Sequence, residues 1–162
     1  MEQGKLDAID CKILEVLQRD GRISNVDLAA EVHLSAPQCF RRVRSLEERG
    51  VVRGYRALVS GPALGFGVTA FVSVNIEGAA FERVRDIERQ LRDFPEVLEI
   101  HTVSGDSDYL LKVVASDLRH LGQLLTDRLM QIKGIADVRS MVCLEEVKPP
   151  SGMPVSNAHR EG

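Results

Sequence analysis

Apolar residues over the first fifty positions recur at three- and four-residue steps. They run Leu6, Ile9, Ile13, Leu14 and Leu17, then Leu28, Ala29 and Val32, then Ala36, Cys39, Phe40, Val43 and Leu46. That spacing puts each set on one face of a helix and predicts three short amphipathic helices, near residues 6–20, 24–32 and 35–49. The polar boundaries agree. Asp7 is placed to cap the first helix and Gly21 to stop it in a left-handed conformation. SNVD, from Ser24 to Asp27, is a capping box with Asp in place of Glu, and SAPQ supplies another through Ser35 and Gln38. Pro37 falls in the first turn, where a missing N–H is harmless, and Gly50 ends the third helix.

Past residue 50 the period shortens. VVRGYRALV is short and β-branched, reading as a strand or hairpin arm, and SGPALGFG follows as a glycine-rich linker. VTAFVSVNI alternates like a half-buried strand. Residues 81–94 return to helical spacing through Phe81, Val84, Ile87 and Leu91. EVLEIHTVSGD reads as a strand closed by a turn, and DYLLKVVA as the strand that pairs back. Asp117 caps a helix carrying Leu118, Leu121, Leu125 and Leu129, ended at Lys133 and Gly134, and IADVRSMVCLEEV is a last strand. The order β-α-β-β-α-β is the ferredoxin-like pattern. The tail KPPSGMPVSNAHREG has three prolines and no apolar period, so disorder is expected there. The domains predicted are residues 1–52 (helical), 53–67 (β-strand and glycine-rich linker), 68–148 (ferredoxin-like) and 149–162 (flexible tail).

Composition bounds the class. With 44% hydrophobic and 28% charged residues, the 162-residue chain reads as a soluble globular protein of one ordinary domain or two small ones. No apolar run is long enough to span a membrane, and the start has no signal-peptide pattern, so a cytoplasmic location is expected. Cys11, Cys39 and Cys143 are widely spaced and odd in number, which argues for reduced thiols and against a disulfide framework or a zinc site.

A net charge of −3 speaks against a polyanionic partner until its distribution is considered. Residues 35–56 hold Arg41, Arg42, Arg44, Arg49, Arg53 and Arg56 against Glu47 and Glu48, a local +4 that leaves −7 elsewhere. On the third helix the apolar sector contains Ala36, Cys39, Phe40, Val43 and Leu46. Pro37, Gln38, Arg41, Ser45 and Glu48 lie opposite, with Arg42 and Arg49 along one edge and Arg44 along the other. A DNA-recognition helix needs such a layout: Gln pairs with adenine and Arg with guanine in the major groove, while flanking arginines grip phosphates. An Arg/Glu-rich amphipathic helix is also what an ordinary solvated face looks like, with i,i+4 pairs between the charges. Two preceding helices at tight spacing, and a basic excess on the third, favour the DNA reading.

The segments LDAID, DGRISN, the LS before the third helix and RRVRSLEERGV together resemble the N-terminal half of the Lrp/AsnC (feast/famine) transcription regulators. The resemblance implies a winged helix-turn-helix, its motif falling at about residues 25–44. It implies a DNA-contact set of Ser24, Asn25, Ser35, Pro37, Gln38, Arg41, Arg42, Arg44 and Arg49. His33 stands where the family usually has glycine; histidine tolerates the left-handed conformation better than most residues, so an intact turn is expected. Gln38 replaces a commoner small or threonine-like residue, which bears on base preference.

VSGDSDYLLKV poses the second question. Ser, Gly and Asp are what polar hairpin turns are made of, and that suffices to explain the loop. The same residues could also offer N–H donors to a carboxylate and oxygens to an ammonium. GDSDYLLKV is similar to the GDxDYLL signature of the family's C-terminal module, which pairs into dimers and often assembles dimers into octamers. The effector amino acid sits at interfaces between such modules. The resemblance therefore implies Ser104, Gly105, Asp106, Asp108 and Tyr109 as effector neighbours, with Arg139, Ser140 and Met141 contributed by a partner subunit. Similarity to the leucine-responsive branch makes leucine or another apolar amino acid the first expectation.

The resulting fold class is α+β: an N-terminal winged helix-turn-helix joined by a β linker to a ferredoxin-like βαββαβ module. The function expected is sequence-specific DNA-binding transcription regulation answering to an amino acid, in a homodimer or an octamer. No catalytic, metal or cofactor site is expected. The four histidines are scattered, the Asp106–Asp108 turn lacks the other oxygens of a calcium loop, and no nucleophile signature accompanies the serines. Two other readings share parts of the pattern: an effector-independent architectural DNA binder, and a ferredoxin-like small-molecule binder that uses the helices only to dimerise.

Overall fold

The structure is a computed structural model in which residues 6–155 are described, apart from the side chains of residues 79–81. The expectations for residues 1–5, for Phe81 and for the tail from residue 156 lie outside the described set. The chain divides into two compact units. One comprises the chain up to Leu58 together with the tail from Lys148; the other is Val59–Val147.

The first unit holds α1 (Ala8–Arg19), α2 (Asn25–Glu31) and α3 (Ala36–Glu48). Asp7 caps α1 as predicted, accepting from Asp10 N at 2.8 Å, and Asp10 closes the box from the other side. Ser24 caps α2 through Asp27 N at 3.1 Å. The apolar stripes meet in one core of Ile13, Val16, Leu28, Ala29, Val32, Cys39 and Leu46. Between α2 and α3 the chain reverses through His33, at φ 56°, as its turn requires. Gly50, at φ 70°, ends α3.

Several expectations are corrected here. Phe40 is 53% exposed. The buried sector of α3 centres on Cys39, Val43 and Leu46, which leaves Phe40 on its rim. Gly21 is not left-handed; its lack of a side chain instead admits the Tyr55 ring, which would lie 3.3 Å from a Cβ. Residues 53–60 form no strand. A β ladder needs a partner, and no backbone hydrogen bond holds this segment among the described residues. The tail is not loose as far as Val155, since residues 150–155 help to wall a cleft on the helical unit.

The second unit is an antiparallel sheet of β1 (Val68–Ile76), β2 (Val97–Thr102), β3 (Tyr109–Ala115) and β4 (Ile135–Val142). Its order, β2-β3-β1-β4, is that of the ferredoxin-like fold. Val72 pairs with Leu111 on one side and Ser140 on the other. Alternation sends Val72, Val74, Leu111 and Val113 into the core with α4 (Val84–Arg92) and α5 (Leu118–Gln123). On the opposite face of the same strands lie Phe71 and Met141, paired with each other and exposed.

Two helices depart from the pattern. A 3-10 segment, Gly78–Arg83, precedes α4, so the helix starts at Val84. After α5 comes a π-helical turn, Leu124–Arg128, and a 3-10 turn, Leu129–Gln131. Leu121 and Leu124 are buried at ordinary helical spacing, the π turn carries the stripe five residues on to buried Leu129, and Leu118, in the first turn of α5, is 64% exposed. Arg128, the last residue of the π-helical turn, pairs with the buried Glu96 at 2.7 Å and lies 4.4 Å from the Phe94 ring centroid. The last strand is also shorter than predicted, ending at Val142.

Candidate DNA-reading helix and effector loop

The local chemistry of α3 begins with its cap. Gln38 Oε1 accepts from Ser35 N at 3.3 Å and from Ser35 Oγ at 2.9 Å. This holds the glutamine over the first turn and leaves its Nε2 with no hydrogen bond among the described residues. Asn25 Nδ2 donates to Ala36 O at 2.9 Å, fastening α2 to the start of α3. Ser24 is engaged as the α2 cap, and its hydroxyl donates to Asp27 at 2.6 Å. Asn25 thus ties α2 to α3, while Ser24 is occupied within α2.

The arginines divide by partner. Arg41 is exposed and makes no ion pair among the described residues. With Leu34, Gln38, Arg42 and Ser45 it lines a shallow hollow of about 360 Å³. Arg42, expected to grip phosphate, turns back instead: its Nη1 lies 2.7 Å from Asp7 Oδ2 and 2.6 Å from Asp10 Oδ1. The Asp10 side chain is only 10% exposed, so the guanidinium answers a largely buried carboxylate at the start of α1. The Asp10 backbone hydrogen bond, with Arg42 beside it, holds the Asp7 carboxyl below its usual range. Arg44 meets Glu48 at 3.5 Å with both side chains mostly exposed, a contact worth little and easily exchanged for another anion. Pro37 and Arg49 are exposed.

At the β2–β3 hairpin the predicted loop separates into two groups. Ser104, Gly105 and Asp106 face solvent, and Gly105 adopts φ 115°, open to glycine and strained for other residues. Asp108 is a pin: its Oδ2 accepts from Ile76 N at 2.7 Å, while its own N–H donates to Val74 O at 3.1 Å. Tyr109 is buried and donates to Glu88 Oε1 at 3.0 Å, joining β3 to α4. Burial first, and then the Glu88 carboxylate, push its phenol up to about 12. Arg139, Ser140 and Met141 are exposed on β4; Arg139 pairs across β1 with Ser73 and forms an ion pair with Asp137 at 2.7 Å. The loop and these residues lie on opposite sides of β1 within one sheet.

Sequence reasoning missed the Arg42–Asp10 clasp and the pinning by Asp108. The partners are more than thirty residues apart, and no local period connects them.

A helix-turn-helix whose third helix exposes a polar face, joined in one chain to a ferredoxin-like module with a polar glycine hairpin, defines a two-module transcriptional regulator. Its helical part binds DNA and its sheet part binds a ligand. The comparisons agree on both parts: residues 6–53 match the winged helix-turn-helix DNA-binding family, and residues 69–153 match the Lrp/AsnC ligand binding domain. The chain belongs to the Lrp/AsnC family of transcriptional regulators, which are not enzymes. It is 44% identical to the leucine-responsive regulatory protein of Rhizobium meliloti, over 89% of this chain and 92% of the relative. Among solved structures it resembles a transcriptional regulator of Neisseria meningitidis in complex with L-Met. That match has TM-score 0.90 and 37% identity over 94% of this chain and 98% of the other. An AsnC family regulator from Agrobacterium tumefaciens matches with TM-score 0.87 and 35% identity, over 93% and 98% of the two chains. Among the described residues no helix is long and apolar enough to cross a membrane, and no cluster of His, Cys, Asp or Glu could hold a metal ion.

Proposed function

We propose that α3 enters the major groove with Gln38 and Arg41, and that Arg44 and Arg49 hold flanking phosphates. The observation that carries this reading is the division among the arginines: Arg42 is tied to α1, while Arg41 stands exposed beside Gln38 on the first turns of α3. In its capped state Gln38 offers Nε2 donors, which suit acceptor edges such as guanine N7 and O6 or thymine O4. Bidentate pairing to adenine uses the remaining acceptor capacity of Oε1. Ser35 and Pro37 approach the backbone at the helix N-terminus, where the helix dipole favours phosphate. A homodimer presents two such helices to half-sites about one helical turn apart, or a multiple of it. Four dimers assemble into an octamer in the same reading, and the protein works in the cytosol.

The effector is an apolar amino acid, with leucine or methionine first in line. Relatives carry the name leucine-responsive, and the Neisseria structure holds L-Met. Ser104, Gly105 and Asp106 receive its charged groups, supported by Arg139, Ser140 and Met141 of the partner subunit; Asp108 and Tyr109 shape the loop from behind. A thermal-shift screen of the twenty amino acids, with and without duplex DNA, tests this. An apolar amino acid is expected to raise the melting temperature, and its effect is expected to change with DNA, since linkage is reciprocal. A protein shifted by DNA and by none of the twenty would be an architectural binder. One shifted by an amino acid and never by DNA would be a small-molecule binder.

A further inference from the structure

Residues 148–155, which follow the sheet unit in the chain, belong to the same compact unit as the three helices. The attachment has one specific grip. Near the end of α1, Gln18 donates from Nε2 to Met153 O at 3.0 Å, and its Oε1 accepts from Met153 N. One side-chain amide thus answers both backbone groups of a single residue, as a neighbouring strand would. Gly152 permits this approach: a Cβ there would lie 2.6 Å from Gln18 Oε1 and 3.0 Å from Gln18 Cβ. The second distance involves an atom that side-chain rotation cannot move away. Pro150, Met153, Pro154 and Val155 wall an open cleft of about 1030 Å³ with Leu14 and Leu17 of α1. Met153 remains 77% exposed, so the contact is made through backbone more than through buried surface. Contacts of that kind open at low free energy, the property a releasable fastening needs.

We propose that residues 148–155 are a strap whose docking on α1, gripped by Gln18 and admitted by Gly152, presets the helical unit for duplex DNA. The chain passes between its two units at Leu58 and again at Val147, so the strap is a second link from the ligand-binding module to the DNA-binding one. Only residues 143–147 separate it from β4. A docked strap narrows the orientations open to the helical unit before DNA arrives, and preorganisation of that kind strengthens binding without adding a contact. The inference rests on the DNA-binding reading above.

The test uses the full chain carrying Gly152→Val, Gln18→Ala or both, read by amide hydrogen exchange and by equilibrium binding to duplex DNA over a range of salt. Each single variant is expected to speed exchange at the Met153 amide, which donates to Gln18 Oε1, by about tenfold, the loss of two modest hydrogen bonds. The double variant is expected to do no worse than either alone, because both changes break one grip. DNA affinity is expected to fall by about three- to tenfold with the salt slope unchanged, since no phosphate contact is removed. Unaltered exchange, or additive effects in the double variant, overturns the strap. Faster exchange with unaltered DNA affinity overturns its role in presetting, and a lower salt slope would make the tail a DNA contact instead. If the unmodified chain bound no DNA, the DNA-binding reading would fail while the exchange result still decided whether the strap exists.

Discussion

Replacing Arg42 with alanine separates stability from DNA contact on a single helix. The guanidinium holds two carboxylates, Asp7 at 2.7 Å with half its side chain exposed and Asp10 at 2.6 Å with one-tenth exposed. The Asp7 arm, in contact with water, is worth about 0.2–1 kcal/mol. The Asp10 arm differs, because removing one member of a fully buried pair costs about 3–5 kcal/mol by leaving a charge without its partner. Arg42 itself is about one-third exposed and Asp10 keeps a long contact to Asp7 N, so that penalty is discounted by more than half. A total near 2 kcal/mol results, or about a thirtyfold change in the folding equilibrium of the helical unit. For so small a unit this lowers the melting temperature by roughly 8–16 °C. Differential scanning calorimetry on the full chain reads the shift. Arg41→Ala serves as the control, expected to change stability by no more than about 0.5 kcal/mol. A second control, Arg42→Met with Asp10→Ala, removes both charges and is expected to recover much of the loss. The reasoning is refuted if Arg42→Ala melts like the unmodified protein and lowers the salt slope of DNA binding as Arg41→Ala does.

Four further outcomes follow from the same geometry. Tyr109 stays neutral in the folded chain up to about 12, whereas its ordinary value is 10.0; it therefore contributes stability below 10 that is lost as pH rises toward 12. Denaturation midpoints should fall across that window for the unmodified protein and less for Tyr109→Phe. Asp7 titrates below its ordinary 3.8, so its contribution is present above that value and disappears as pH falls through the lowered one; Asp7→Asn should flatten the acid limb of the melting curve. Leu46 is fully buried, and Leu46→Ala should cost about 2–5 kcal/mol in the same melting assay. At His33, Gly relieves a strain of about 1 kcal/mol but loosens the unfolded chain by a similar amount, so His33→Gly should be nearly neutral while His33→Val is clearly destabilising.

The parts of the fold legible in the sequence are those fixed by neighbours in the chain. Asp7 and Ser24 bond within three residues, so their caps were readable, as were VTAFVSVNI as β1 and the left-handed turn at His33. Phe40 was misplaced because helical spacing defines a sector but not its centre; only packing against α1 and α2 does that. Leu118 keeps the helical spacing to Leu121 but stands at the first position of α5, where it is 64% exposed; spacing alone does not show where along a helix the packing begins. The linker strand failed for a different reason, since a strand is a relation between two segments and none pairs with residues 53–60 among the described residues. At the site, the open face of Gln38 and Arg41 followed from periodicity. The turned-back Arg42 and the pinned Asp108 did not, because each depends on a partner brought close only by tertiary folding.

The central claim is that α3 is the DNA reader, and the salt dependence of duplex binding by Arg41→Ala tests it most directly. Loss of one phosphate or base-edge cation per protomer is expected to weaken affinity and to reduce the magnitude of the slope of log K against log salt by up to about 0.9 for each protomer engaged. Binding with unchanged affinity and unchanged slope would contradict the claim and put the DNA-binding surface elsewhere on the protein.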